Sequence, residues 1–183
     1  AIWTTTPWTL PSNMAAAVSR EERYVYLRNV EKGELYLVAE KLADAFIAET
    51  GLQLRKGNTT IMGNKLVGLA YEHCLAEHMP ENRRFPRGII STDFVDMSTG
   101  TGIVHIAPGH GEEDFHAGKK WGLEVFCPVD EAGRFTKEAG SFEGLKVFEA
   151  NEKVLETLKA DGLLLGSKVI THSYPHCWRC KQP

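Results

Sequence analysis

"GIISTDFVDMSTGTGIVHIAPG", residues 88–109, carries the first signal of architecture. Its β-branched ends flank a run rich in Gly, Ser and Thr, so it reads as two strands joined by a polar turn. Along the second strand the period of two puts Ile103, His105 and Ala107 on one face. Pro108 and Gly109 break that strand, and Gly111 allows close backbone approach. "GEEDFHAGKKWG", residues 111–122, then reads as a short helix, acidic at its start, basic at its end and stopped by Gly122. Strand and helix can thus aim the His105 imidazole and the Asp114 carboxylate into one pocket. Each also has a plainer reading. A strand histidine is commonly a hydrogen-bonded core or edge residue, and a carboxylate in a first helical turn stabilises the helix by about 0.3–1 kcal/mol.

The flanking sequence repeats the same short-strand grammar. "YVYLRNVEKGELYLVAE" (24–40) alternates on both sides of Glu31-Lys32-Gly33, a β-hairpin pattern. "AEKLADAFIAETG" (39–51) places Leu42 and Phe46, and Ala43 and Ile47, at helical spacing, with Gly51 as the stop. "TTIM" (59–62) and "KLVGL" (65–69) are strand candidates before the polar loop "ENRRFPRG" (81–88). "CPVDEAGRF" (127–135) carries a turn, "FEANEKVLETLKADG" (148–162) is an amphipathic helix, and "LLLGSKVITH" (163–172) reads as a final strand. Many short strands with a few helices predict a mainly β or α+β fold, with a distorted β-barrel core and peripheral helices, rather than a doubly wound sheet.

"WTTTPWTLP" (3–11) gathers hydroxyls and indoles near the start. Threonine is stiff at χ1, so Ile2 to Thr6 reads as a strand, with Thr4 and Thr6 on one face and Trp3 and Thr5 on the other. Pro7 keeps Thr6 extended and ends the ladder. That face is either a solvated edge or the wall of a polar pocket.

The 183 residues fit one domain with a real core; 43% are hydrophobic, 25% are charged, and no tract is of low complexity. No apolar run approaches the ~18 residues of a membrane span. A net charge of −3 argues against partners held by non-specific phosphate attraction. Four cysteines in a chain of this length suggest no disulfide scaffold, hence a reducing, cytoplasmic setting. The ends look cut, which predicts a piece of a longer protein.

Conventional nucleophile motifs are absent: there is no G-x-S-x-G elbow, no H-E-x-x-H and no phosphate-binding loop with its lysine. "YEHCLAEHM" (71–79) sets Cys74 between His73 and His78, an arrangement that reads better as a buried thiol beside surface histidines than as a hydrolase dyad. Arg83, Arg84 and Arg87 around Phe85 are either a phosphate contact or a solvated loop. "HSYPHCWRC" (172–180) places Cys177 and Cys180 at C-x2-C spacing, which lets two thiolates share one zinc. No second pair exists here, so the expectation is half a zinc site completed from outside the chain; free thiols in a frayed tail are the other reading.

Three stretches, "WTTTPWTLPSN", "GTGIVHIAPGHGEEDF" and "HSYPHCWRC", resemble in order and spacing the editing (CP1) insertion of isoleucyl-tRNA synthetase, a class I aminoacyl-tRNA synthetase. The resemblance covers essentially the whole chain. It is specific, because the leucyl and valyl relatives carry T-T-R-P where this chain has T-T-T-P-W-T. It implies a single editing domain over 1–183, with 172–183 starting the hinge back to the catalytic domain. The implied activity is hydrolysis of mischarged valine from the 3′ end of tRNA(Ile), and of valyl-adenylate. A pocket for isoleucine rejects valine only by the worth of one methylene, a limit for which this synthetase is itself the standing example.

Carried across by motif, the resemblance makes Asp114 the carboxylate that binds the substrate α-ammonium and His105 the residue that narrows the side-chain pocket. Thr4 and Thr6 would hold the aminoacyl group, the terminal adenosine and the attacking water. Trp8 belongs to the same wall, with Thr5 and Gly102 as further substrate contacts. Water attack without an acyl-enzyme accounts for the missing nucleophile. Editing then needs no cofactor; the partners are tRNA and the remainder of the synthetase, and a monomer is expected. The nucleotide-binding signatures H-I-G-H and K-M-S-K-S are absent, so no aminoacylation is expected from this chain. The competing reading is a non-catalytic, zinc-supported RNA-binding module.

Overall fold

The central strand of the larger sheet is the one with the weakest sequence signal. The computed structural model, which describes residues 1–169, 176, 178, 179 and 181, places β1 at Ala15–Val18, buried along its whole length. The chain continues through β2 (Arg23–Asn29), β3 (Leu35–Ala39), α1 (Ala43–Thr50), β4 (Leu54–Met62), β5 (Ala70–Tyr71) and β6 (Arg87–Ser91). It ends with β7 (Ile103–Ile106), α2 (Glu112–Trp121) and α3 (Ala150–Ala160).

One sheet has the order β5-β6-β1-β7, the other β3-β2-β4. The two strands of residues 88–109 therefore share a sheet but do not pair with each other. β1 lies between them, parallel to β6 and antiparallel to β7. Small side chains suit this middle position. Ala15 and Ala17 face Ile90, Ile106 and Ala117 of α2. Ala16 and Val18 face Tyr24, Ala39 and Leu42, which joins the first sheet to the second. β1 is thus covered on both faces, as its lack of alternation requires.

The smaller sheet is the predicted hairpin plus β4. Asn29 is buried at the end of β2 and accepts the N–H groups of Glu31 and Lys32 at 3.0 and 3.1 Å, shaping the turn. Gly33 completes it at φ +74°. "TTIM" falls inside β4, and a bulge shifts the β2–β4 register between Val25 and Leu27. The helices at α1, α2 and α3 form where helical spacing predicts them, α1 and α2 each ending on a left-handed glycine. The architecture is α+β, sheets with peripheral helices.

Three predicted strands differ. Ile2 to Thr6 forms no strand; only Trp3 makes a single bridge, to Val104, and Pro7–Ser12 is a 3-10 helix. "KLVGL" is a tight turn after the 3-10 segment Gly63–Lys65, with the ladder beginning only at Ala70. Among the described residues, 163–169 find no neighbouring strand; Leu164 and Leu165 pack onto the core instead. The rest of that predicted strand, with Cys177 and Cys180, lies outside the described residues. Among the described residues no helix is long and apolar enough to cross a membrane.

Candidate active site

The threonine segment turns instead of extending because its own side chains compete for the backbone. Thr4 Oγ1 accepts the Thr6 N–H at 3.1 Å, a local turn of the kind threonine favours. Pro7 then opens the 3-10 helix, where its missing N–H costs nothing. Thr9 closes the turn, its N–H and its hydroxyl both donating to Thr6 O, at 3.1 and 2.8 Å. The bend lets Thr4, Thr5 and Thr6 all line one cleft of about 590 Å³. Trp8, Gly102, His105 and Asp114 line the same cleft. All seven candidate residues predicted outside the cysteine pair therefore meet in one place. The alternation argument for Thr4 and Thr6 is replaced by the turn.

Three histidines clamp the 3-10 helix from different parts of the chain. His73 Nε2 donates to Leu10 O at 2.9 Å, His105 Nε2 lies 2.8 Å from Thr9 Oγ1, and His110 Nε2 lies 2.7 Å from Ser12 Oγ. The hydrogen-bond inventory assigns the His105 tautomer. Thr9 spends its single proton on Thr6 O, so His105 donates through Nε2 and keeps a bare, buried Nδ1. Burial pushes all three imidazoles down to about 4, with the neighbouring His73 and His110 adding to the effect at His105. All three are neutral near pH 7.

Asp114 stands in the first turn of α2. Its Oδ2 accepts the Ala107 N–H at 2.8 Å, tying the helix back to the end of β7. Burial pushes its carboxyl up, against that hydrogen bond, and the charge of Glu113 adds to the rise. No cation pairs with it among the described residues, so it offers negative charge to something that enters the cleft.

Gly102 shapes the floor by what it lacks. At φ +69° a Cβ would stand 2.4 Å from Ala39 Cβ, and the Gly102 carbonyl accepts the Tyr24 hydroxyl at 2.8 Å. The sequence reading missed Thr9 and His110, which also line the cleft. Their residue types were visible in "WTTTPWT" and "APGHG", but their bonds join positions 96 and 98 residues apart.

No model of a known protein family matches the chain. Curated relatives do, over its full length. It is 48% identical over 182 residues to an isoleucine–tRNA ligase of Methanothermobacter thermautotrophicus, covering 100% of this chain and 17% of the relative. The isoleucine–tRNA ligase of Persephonella marina is 45% identical over 183 residues, again over 100% of this chain and 18% of the relative. Over its whole length the chain matches a segment of isoleucine–tRNA ligases. It spans about a sixth to a fifth of the length of these ligases, 17–19%. The solved structure GlLeuRS-CP1 shares its fold, with a TM-score of 0.66, 19% identity, and coverage of 94% of this chain and 83% of that one. The chain thus joins the sequence of a segment of isoleucine–tRNA ligases to the fold of that CP1 structure.

Away from the cleft the other motifs are structural. The Cys74 thiol is pushed up to about 11 by burial, and His78 pairs with Asp161 at 2.8 Å, so no cysteine–histidine dyad forms. Arg83 makes a two-pronged pair with Glu124 at 2.7 and 3.1 Å, and its guanidinium covers Phe126. Arg87 is buried and donates to the carbonyls of Asn13, Phe85 and Arg83, so it anchors the loop from inside. Among the described residues no cluster of three or more His, Cys, Asp or Glu could hold a metal ion.

Proposed function

We propose that this domain hydrolyses valine mischarged onto tRNA(Ile), and valyl-adenylate, as the proofreading site of an isoleucine–tRNA ligase. The observation that carries the reading is the half-buried Asp114 carboxylate, without a cationic partner, in a cleft walled mainly by threonine hydroxyls and aromatic rings; the second carboxylate there, Asp96, is exposed and engaged by Ser98. An aminoacyl ester has one fixed positive charge, its α-ammonium, and a carboxylate orients it through a charge-assisted hydrogen bond. Thr4, Thr5 and Thr6 supply hydroxyls for the aminoacyl group, the terminal ribose and a water. His105 and Trp8 bound the side-chain space, and Gly102 keeps the floor open.

The ester is already activated, so placing water against its carbonyl and stabilising the developing charge suffices, with no acyl-enzyme and no cofactor. Size does the sorting: a site that admits valine and rejects isoleucine removes what a one-methylene difference, about 1–3 kcal/mol, lets through. The setting we infer is cytoplasmic, in a monomer, joined to the rest of the synthetase. Cys177 and Cys180 would hold a structural zinc with a pair from that remainder.

The test is release of amino acid from Val-tRNA(Ile) and Ile-tRNA(Ile), with Asp114→Ala as the comparison. Hydrolysis of the valyl ester alone, lost in the variant, is the expected result. Equal hydrolysis of both esters would overturn the sieve. RNA binding without turnover, indifferent to Asp114→Ala, would make the domain a binding module.

A further inference from the structure

His110 stands on the wall of the cleft and none of the roles above uses it. Its ring is held from two sides. Nε2 lies 2.7 Å from Ser12 Oγ, and the ring meets Trp8 edge-on, with centroids 4.9 Å apart. Ser12 is fully buried, and among the described residues His110 Nε2 is the only hydrogen-bond partner of its hydroxyl. A buried hydroxyl proton needs an acceptor. Ser12 therefore donates to Nε2, which makes Nε2 the bare nitrogen and puts the imidazole proton on Nδ1. This is the opposite tautomer to that of His105, whose Nδ1 is bare, buried and unpartnered. His110 Nδ1 has no protein partner among the described residues, yet it is not among the buried polar atoms left unsatisfied. It is therefore reached by solvent, on a residue that lines the cleft.

We propose that His110, through Nδ1–H, is the hydrogen-bond donor to the carbonyl oxygen of the ester as it becomes an oxyanion. The assignment rests on ester hydrolysis at this cleft. Water oxygen bonds to the carbonyl carbon, and the carbonyl π pair moves onto oxygen, where the His110 N–H meets it. The intermediate collapses by breaking the bond to the ribose oxygen, which takes the proton the water loses. His110 gives up no proton. Burial keeps the imidazole neutral at working pH, so the donor is a polar N–H rather than an imidazolium. The geometry suits the task, because Ser12 and Trp8 fix the ring before substrate arrives and no reorganisation is needed during reaction.

Two variants separate the donor from the packing. His110→Gln reaches Ser12 with its amide in place of Nε2 but leaves no donor at the Nδ1 position. His110→Asn places an amide N–H near Nδ1 and abandons Ser12. Both are assayed by single-turnover hydrolysis of Val-tRNA(Ile), with binding of a non-hydrolysable amide-linked valyl-adenosine measured in parallel. Removal of one oxyanion donor lowers turnover by about 10²–10³-fold. His110→Gln should show that loss with analogue binding within about threefold of the parent, and His110→Asn should keep more turnover than His110→Gln. Unchanged turnover in His110→Gln overturns the assignment. So does a matching loss of analogue binding, which would make His110 a pocket-shaping residue, or an Asn variant no better than the Gln one. If the parent chain itself leaves the valyl ester intact, the proofreading reading fails first and the assignment falls with it.

Discussion

The two walls of the cleft are built in opposite ways. The wall from Ile103 to Asp114 is regular: a strand paired to β1, a Pro-Gly break and a helix whose first turn is tied back to Ala107. The wall from Thr4 to Ser12 has no ladder beyond the one bridge at Trp3, and it is held by side chains. Its own threonines bend it, and three histidines from residues 73, 105 and 110 grip it. The first wall inherits its shape from secondary structure. The second takes its shape from polar bonds to imidazoles that burial holds neutral, and the bond Ser12 donates to His110 Nε2 is the one that protonation removes.

Acid should break the second wall first. His73, His105 and His110 have folded pKa values of about 4, below the ordinary value of 6.5. Between those values the unfolded chain binds protons that the folded chain refuses, so stability is complete above about pH 6.5 and falls as pH drops toward 4. His73 and His105 each contribute up to about 1.4 kcal/mol per pH unit across that window. His110, the least buried of the three, contributes less. Asp114, raised by burial, acts in the opposite sense at the acid end. Urea midpoints from pH 8 to 4 should decline steeply below 6.5, and a His73→Gln, His105→Gln double variant should flatten the curve. A flat parent curve would mean the clamp tolerates charge.

The regular wall fails through sterics instead. Gly102→Ala puts a methyl 2.4 Å from Ala39 Cβ at a positive φ. Overpacking and strain together should cost about 2–4 kcal/mol and lower Tm by roughly 5–15 °C. Gly88→Ala in β6, where a Cβ meets nothing within 4 Å, is the control and should be neutral or slightly stabilising. Equal melting of the two variants would show that the floor under the cleft yields.

How far each wall could be read from sequence follows from the same difference. His105 and Asp114 sit on elements announced by local signals, the period of two, Pro108-Gly109 and an acidic first turn closed by Gly122, so their meeting was predictable. The resemblance placed the threonines at the site, and the strand expected for them does not form: an Oγ1 3.1 Å from the N–H two residues on outcompeted strand propensity. β1 was missed because Ala-Ala-Ala-Val neither alternates nor favours strands; it is a strand because β6 and β7 flank it. Thr9 and His110 gain their roles from contacts far apart in sequence, which no local pattern encodes.

The joint between the walls is the bond between Thr9 and His105, and loosening it should have the smallest effect of the three. Thr9→Val keeps the shape but removes both the donor to Thr6 O and the acceptor for His105 Nε2–H. A donor left unpaired in the interior costs about 1–3 kcal/mol. Thr9→Ser, which retains the hydroxyl, should stay within about 0.5 kcal/mol of the parent by urea unfolding. Valyl ester hydrolysis should follow the same order, with the loss in Thr9→Val larger than its stability change implies, because the bond sets where the threonine turn stands relative to Asp114. If Thr9→Val loses stability but hydrolyses the ester as the parent does, then the two walls are held in register by packing. The polar clamp would then serve the fold and not the chemistry.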